Sequence, residues 1–334
     1  MNVNIYDVAK KSGLSVVTVS RVINNSPNVR DYNRKKVLQA MAELGYNPSA
    51  AARSLAKGKT GVVGLLIPSL NDTFFNCVVR SVNEHLMQNG YFLAISLAEY
   101  GDNTTKEGTN FLFQEKRVDG IIILTPLNEE KYILEMKRKN IPFVLMDNQN
   151  NHPSVCSINV DNYKGGCDVT KHLLDFGHEK IGYIGAPEFY LSSKEREKGF
   201  VDTLRNEGIE PYAIDHGDFD IRSGYEITKQ WIESGKIPTA IFAADDHIAF
   251  GAMDAIREAG MNVPEDISVC GYDDDFLSSQ IHPALTTVRQ PAEELGAKGV
   301  EILMQLIDGS LKRSVNIKLE PTLIIRQSTS KLKS

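Results

Sequence analysis

The 334-residue chain predicts two fold classes joined in series. A small all-α head with a hinge helix comes first. An α/β body of two doubly wound parallel-sheet subdomains follows. Three observations predict this. Charge is unevenly divided: residues 1–60 hold ten Lys and Arg against three acids, a balance of +7, whereas the remainder carries −13. Residues 4–45 read as short amphipathic helices broken at Gly13 and Gly45. From Val62 onward, apolar β-rich runs alternate with helical patterns, and that series restarts once, as parallel sheets built of right-handed crossovers do.

In the head, Asn4 is a capping residue for a helix beginning at Ile5, with Asp7 favourable in its first turn. Ile5, Val8 and Ala9 give that helix an inward face, and Gly13 breaks it. Ser15 caps a second helix over SVVTVSRVIN, residues 15–24. Two short helices joined by a Gly-containing turn are the helix-turn-helix pattern. A third helix follows Asp31, with Val37, Leu38, Met41 and Leu44 as its stripe and Gly45 just past its end.

The second helix carries more valine than one face can hide. At about 100° per residue, Val19, Val22 and Ile23 cluster on one side, and Val17, Ser20, Arg21 and Asn24 on the other. In a helix-turn-helix the second helix lies in the major groove. Val17 and Arg21 then face the groove, with Val16 at its rim. An arginine suits guanine O6 and N7, and an apolar side chain suits a thymine methyl. Thr18, Ser20 and Asn24 are short polar groups suited to phosphate oxygens. An ordinary packed helix is the competing reading of the same ten residues.

Pro48 opens an Ala-rich stretch to Ala56, which is marginal as an isolated helix. It suits either a segment that is helical only on DNA or, on the residues alone the better reading, a plain linker with one exposed leucine. Lys57-Gly58-Lys59-Thr60 imitates the end of a phosphate loop, but position 53 is Arg where that motif needs Gly.

The stretch IYDVAKKSGLSVVTVSRVIN, with LGYNPSAAARSLAKGKTGVVGLLIP after it, closely resembles the lactose/galactose-repressor (LacI/GalR) family of bacterial transcription regulators. The resemblance runs through nearly the whole chain. It implies a dimer, each head reading half of a near-palindromic operator, with Val16, Val17 and Arg21 at base-reading positions. Ser15, Thr18, Ser20, Asn24, Asn28 and Tyr46 complete the implied DNA-contacting set of the head. It implies a hinge helix in the minor groove, with Ala52 and Leu55 on the DNA. Leu55 would wedge between the central base pairs, where an apolar side chain kinks the duplex. The implied division is a head at 1–46, a hinge at 47–60 and a ligand-binding and dimerisation body at 61–334. The body has a periplasmic-binding-protein-like architecture: a first subdomain of about 61–160 plus 291–318, and a second of about 161–290 plus 319–330.

Within the body, strands are expected at 62–67, 92–97, 120–124, 142–146, 155–160 and 180–185, and helices at 74–88, 129–139, 163–176 and 194–206. Further pairs run to about Gly309. The last helix, near 293–306, is expected to return to the first subdomain. Ligands of open α/β sheets sit at the carboxyl ends of strands. That rule nominates Phe74 and Phe75, Asp147, Arg196, Asp245 and Asp246, and Asp273 to Asp275. Carboxylates and arginine grip hydroxyls, and rings cover the apolar face of a sugar. The resemblance implies Arg196 as the effector-gripping residue, Phe219 as a stacking ring, and Asp273 with Asp274 as the acidic pair near the site. Asp245 departs from the family pattern, which has Asn there. A carboxylate only accepts when ionised, so the effector would offer a hydroxyl or an amine at that point.

The expected protein is a cytoplasmic, dimeric repressor of double-stranded operator DNA, set by a small sugar-like effector. Cys77, Cys156, Cys167 and Cys270 form no C-x-x-C pair, and no apolar run approaches a membrane span. The first residues lack the apolar core of a signal peptide, which argues against a secreted solute-binding protein. No nucleophile elbow, dinucleotide fingerprint or zinc-protease motif occurs, so no enzyme, cofactor or metal is expected. The end QSTSKLKS has no leucine heptads, so a dimer is expected rather than a tetramer. The alternative within the family is a catabolite-control-type global regulator driven by a phosphorylated carrier protein.

Overall fold

The structure, a computed structural model, describes residues 3–24, 26–47, 58–98, 117–150 and 152–333. The expected hinge residues Ala52 and Leu55 lie outside them. The chain divides into two compact units, Met1–Val62 with Glu115–Asp119, and Val63–Gln114 with Gly120–Ser334.

Among the described residues, the first unit holds three helices: α1 (Ile5–Ser12), α2 (Val16–Ile23) and α3 (Asp31–Leu44). Asn4 and Asp7 form a reciprocal capping box, with Asn4 Oδ1 accepting from Tyr6 N at 2.8 Å and Asp7 accepting from Asn4 N at 2.9 Å. Gly13 ends α1 in the left-handed region at φ 68°, where a side chain would be strained. Ser15 Oγ accepts from Thr18 N at 3.2 Å and starts α2. Val8, Val19, Val22, Val37 and Ala40 form the buried core, with Ile5, Ile23, Met41 and Leu44 packed at its edge. One expectation is corrected: Leu38 is exposed, and Ala40 takes the inward place beside Val37. The stripe follows 37, 40, 41, 44, and Leu38 lies about 100° off it.

The second unit contains two parallel sheets. The first runs β11-β5-β4-β3-β1-β2, built from β1 (Val62–Ile67), β2 (Phe92–Leu97), β3 (Gly120–Leu124), β4 (Phe143–Met146), β5 (Ser157–Val160) and β11 (Asn316–Leu319). The second runs β7-β6-β8-β9, from β6 (Ile181–Gly185), β7 (Ala213–His216), β8 (Ala240–Ala243) and β9 (Ser268–Cys270). A two-stranded antiparallel ribbon joins β10 (Thr287–Arg289) to β12 (Thr322–Ile324). Two aliphatic-rich clusters fill the unit, one around each sheet.

Helices α4 (Thr73–Gln88), α5 (Glu129–Lys139) and α10 (Ala292–Asp308) belong with the first sheet; α6 (Asn162–Asp175), α7 (Leu191–Asn206), α8 (Ile221–Glu233) and α9 (Asp246–Glu258) belong with the second. The late helix α10 lies against α4, where Ser81 Oγ donates to Glu293 O at 2.6 Å. Chain far downstream therefore completes the first subdomain, as β11 does for its sheet. The pair α6 and α7 meets backbone to backbone. A Cβ added at Gly166 would overlap Arg196 O, and one at Gly199 would overlap Tyr163 O. Those two glycines bring the Arg196 turn against the start of α6. The largest shifts from expectation are at α7, which begins at Leu191, and β5, which begins at Ser157; several other ends move by one or two residues.

Candidate DNA-reading face and effector cleft

On α2, Val19 and Val22 are buried, whereas Val17 is 60 % exposed and Arg21 is exposed beside it. Val16 is half-buried against the head core. Ser15 and Asn28 are open to solvent, and Ser20 is half-buried. Thr18 Oγ1 shares a hydrogen bond with Ser15 Oγ at 2.9 Å. Besides Ser15, which caps α2, and Val16, which packs on the head core, other residues assigned to DNA have internal work. Asn24 folds its amide back to donate to Ser20 O at 3.0 Å and caps α2. Tyr46 packs on the edge of the head core. Tyr6 and Tyr32, named in no expectation, are largely exposed on the head, the latter 4.9 Å under Lys36 Nζ.

In the body, the strand ends carry unusual backbone. Thr125 after β3 (φ 48°), Asp147 after β4 (φ 49°), and Asp273 and Asp274 after β9 (φ 107° and 53°) all lie in the left-handed half of φ space. Such conformations cost free energy in non-glycine residues and gather at binding sites. Thr125 Oγ1 donates to Asp147 Oδ2 at 2.9 Å. Burial raises the Asp147 carboxyl above its ordinary range, against the opposing pull of that hydrogen bond and of Arg196.

Arg196 is 3 % exposed and ties three segments. Its Nε donates to Asn162 Oδ1 at 2.9 Å, and one Nη donates to Ala244 O at 2.6 Å. The other Nη lies 3.4 Å from Asp273, and the guanidinium sits 3.7 Å from the Tyr272 ring. Asp273 also accepts from Gln290 at 2.5 Å. Burial pushes the Asp273 carboxyl up to about 7, with Arg196 pulling the other way. Asp274 turns elsewhere, clamped between Arg289 at 2.6 Å and Arg326 at 2.5 Å. It is thus a fixture of the β9–β10 region rather than the second member of an open acidic pair.

Asp245 caps α9 by accepting from Ile248 N at 2.7 Å, and its other oxygen faces His247 Nδ1 at 3.6 Å. That carboxylate, opposing burial, holds the His247 imidazole up at about 9. Asp246 is buried and internally spent: it accepts from Ser278, Thr287 and Asp275 N at 2.5–2.7 Å.

Phe74 is buried in the first subdomain, with Phe75 half-buried beside it. Phe219 is half-buried and meets Tyr190 ring to ring at 5.6 Å, and Tyr190 meets the exposed Phe189 at 4.6 Å. Phe189 and Tyr190 were not anticipated, although EFY after a strand is a visible cue. Among the described residues, hydrogen bonds that join the subdomains include Thr73 Oγ1 donating to Asp275 Oδ2 at 2.5 Å, Leu191 N donating to Gln149 Oε1 at 2.7 Å, and Lys318 Nζ donating to Glu195 Oε1 at 3.5 Å. The Gln149 loop is organised by buried Glu129, which accepts from Gln149 N at 3.0 Å and from His152 Nε2 at 3.0 Å. Nothing in the sequence marks Glu129 apart from other helix-start acids.

An α-helical head with an exposed apolar and cationic face, followed in the chain by a body with polar groups gathered between two subdomains, is the pattern of a ligand-responsive DNA-binding regulator. Residues 4–49 match the bacterial regulatory proteins of the lacI family, and residues 170–329 match a periplasmic binding protein-like domain. The HTH-type transcriptional repressor PurR of Pasteurella multocida (strain Pm70) is 36 % identical over 97 % of this chain and 98 % of its own. Catabolite control protein A of Priestia megaterium is 32 % identical over 98 % of this chain and all of its own. Among solved structures, the Lac repressor dimer bound to operator and the anti-inducer ONPF superposes with a TM-score of 0.90 at 34 % identity, covering 99 % of this chain and 100 % of that one. This chain belongs to the LacI family. It is a DNA-binding transcriptional regulator with a small-molecule effector, and its relatives are regulators rather than enzymes. No helix among the described residues is long and apolar enough to cross a membrane.

Proposed function

We propose that the protein represses transcription as a dimer on a near-palindromic operator, and that a sugar-like effector held at the strand ends between the subdomains sets its operator affinity. The observation that carries this reading is the Arg196 constellation. One buried guanidinium fastens Asn162, Ala244 and Asp273 beside strained strand ends, while Thr73–Asp275 and Gln149–Leu191 bridge the two subdomains. A ligand there competes with or completes those bridges and so changes the subdomain angle. Solved neighbours include a CelR–cellobiose complex and a family member with bound ribose, which supports a sugar-like class. Exposed Phe92, Ile95 and Leu97 on β2, with Phe276 and Leu277, supply apolar surface of the kind that dimers bury. A thermal-shift screen of sugars and sugar derivatives, repeated with Arg196→Ala, tests the site. The expected result is stabilisation that the variant loses, and equal stabilisation of both proteins rules the site out.

A second reading adds a phosphorylated carrier protein as corepressor, because the similarity to catabolite control protein A spans the whole chain. Retention of that carrier on the operator-bound protein supports it; operator binding indifferent to the carrier rejects it.

A further inference from the structure

The first subdomain holds a cavity at the end of its sheet opposite the proposed effector cleft. Strands β1, β3, β4, β5 and β11 run parallel. Asp147 follows β4 at its carboxyl end, and Pro142 precedes it at the amino end, about 16 Å away at about 3.3 Å per residue. A cavity of about 430 Å³ opens at that amino end. Met136, Phe143, Val155, Leu306 and Leu311 make its apolar wall. Its charges are all of one sign: Lys137, Lys312 and Arg313 line it, and no Asp or Glu does.

Helix ends explain part of this charge. Helices α5 and α10 finish beside the cavity, at Lys139 and Asp308. Lys312 Nζ donates to Gly309 O at 2.6 Å, just past α10, and Lys137 Nζ donates to Ser154 Oγ at 3.4 Å. A helix C-terminus carries about −0.5 of an elementary charge, so two of them set about −1 against three cations. Asp308 lowers that excess without cancelling it, and Glu135 is already paired with Lys139 at 2.9 Å. Arg313 is exposed, and its side chain has no ion pair or hydrogen bond among the described residues. A second cavity, of about 480 Å³ between α4 and α10, is different: Glu294 and Glu301 line it with Lys298, and Lys298 pairs with Glu301 at 2.9 Å. That cavity favours no sign of ligand, whereas the first one does.

We propose that the amino-end cavity binds a small organic anion, a carboxylate carried on a compact apolar body of one or two rings. The volume lies within the range of small-molecule sites, about 300–1,000 Å³, which are mostly apolar with a few placed polar groups. The guanidinium fork of Arg313 matches a carboxylate in bidentate fashion. Lys312 adds a point charge beside it, and the rings cover Phe143, Val155 and Leu311. A neutral ligand would leave the cationic rim unanswered, and a cationic one would be repelled by it. The site is separate from the cleft and does not depend on how the cleft is read.

The test uses full-length protein and three probes of one shape: 1-naphthylacetate, its neutral amide 1-naphthylacetamide, and the cation 2-(1-naphthyl)ethylamine. Affinities are read by calorimetry. The acid is expected to bind at least about tenfold more tightly than the amide, with the amine weaker still. Arg313→Glu and Lys312→Glu, both changes of exposed side chains, should each weaken the acid at least about fivefold and leave the amide unchanged. Location is read separately, from alkylation of Ser314→Cys by iodoacetamide followed peptide by peptide. The acid should slow modification at position 314, with Cys77 and Cys167 in the same molecule as references. A smaller preference for the acid, no binding by it, an acid affinity indifferent to both charge reversals, or no protection at position 314 would each overturn the proposal.

Discussion

Val17 is a large apolar side chain left 60 % exposed on a short helix whose other valines, Val19 and Val22, are buried. Water gives no reason for it; on the proposed reading a thymine methyl does. On that reading Arg21, one helical turn on, brings the hydrogen bonds. Arg21→Ala should weaken operator binding by about 1–3 kcal/mol and relax preference at one guanine, whereas a phosphate-only contact would weaken all sequences alike. Val17→Gln should shift base preference without changing the melting of the head; unfolding with unchanged specificity would make Val17 a core residue. At the cleft, His247 titrates near 9 against an ordinary value of 6.5, because Asp245 favours the imidazolium. A raised folded-state value means the pair's contribution to stability is full below about 6.5 and is lost as pH rises through 9. Urea midpoints of the wild type should therefore fall over that window more than those of His247→Gln. Parallel curves would deny the pair.

The elements themselves were largely legible, because caps and periodicity are local. Asn4, Gly13, Ser15 and Gly45 all stand where their chemistry placed them, at helix boundaries. Asn4→Ala removes the side-chain half of the capping box, leaving the backbone N–H at position 4 to Asp7, and should cost about 1 kcal/mol of head stability, measured by thermal melting. Tertiary choices were less legible. Leu38 looked like core, but Val37 and Ala40 own the buried face, since a stripe read off the sequence allows a neighbour about 100° away to pass for a member. Strand-end acids looked alike in sequence. Asp274 and Asp246 proved to be internal fixtures because Arg326, Arg289, Ser278 and Thr287, distant in the chain, converge on them. Asn24 was spent in the same way on its own helix end. Glu129 was invisible because its role depends on a loop twenty residues on folding over it.

At the scale of the molecule, regulation requires that ligand and operator each bias the same subdomain equilibrium, so their coupling is reciprocal. In the proposed mechanism the bridges Thr73–Asp275 and Gln149–Leu191 lie on that equilibrium. Thr73→Ala should change operator affinity in the absence of ligand and reduce the response to ligand, each by no more than roughly ten- to hundredfold, because one neutral-to-charged hydrogen bond is worth about 1.5–3 kcal/mol at most. Operator binding unaltered with and without ligand would remove the bridges from the mechanism. The central claim is that two copies of the α2 face, held by one dimer, read DNA. It is tested most directly by selecting duplexes from a random library with the full-length protein and with Val17→Ala. The account predicts a near-palindromic motif for the wild type, and for the variant a change confined to one symmetric pair of positions. A motif without dyad symmetry, or one that Val17→Ala leaves unchanged, would contradict it.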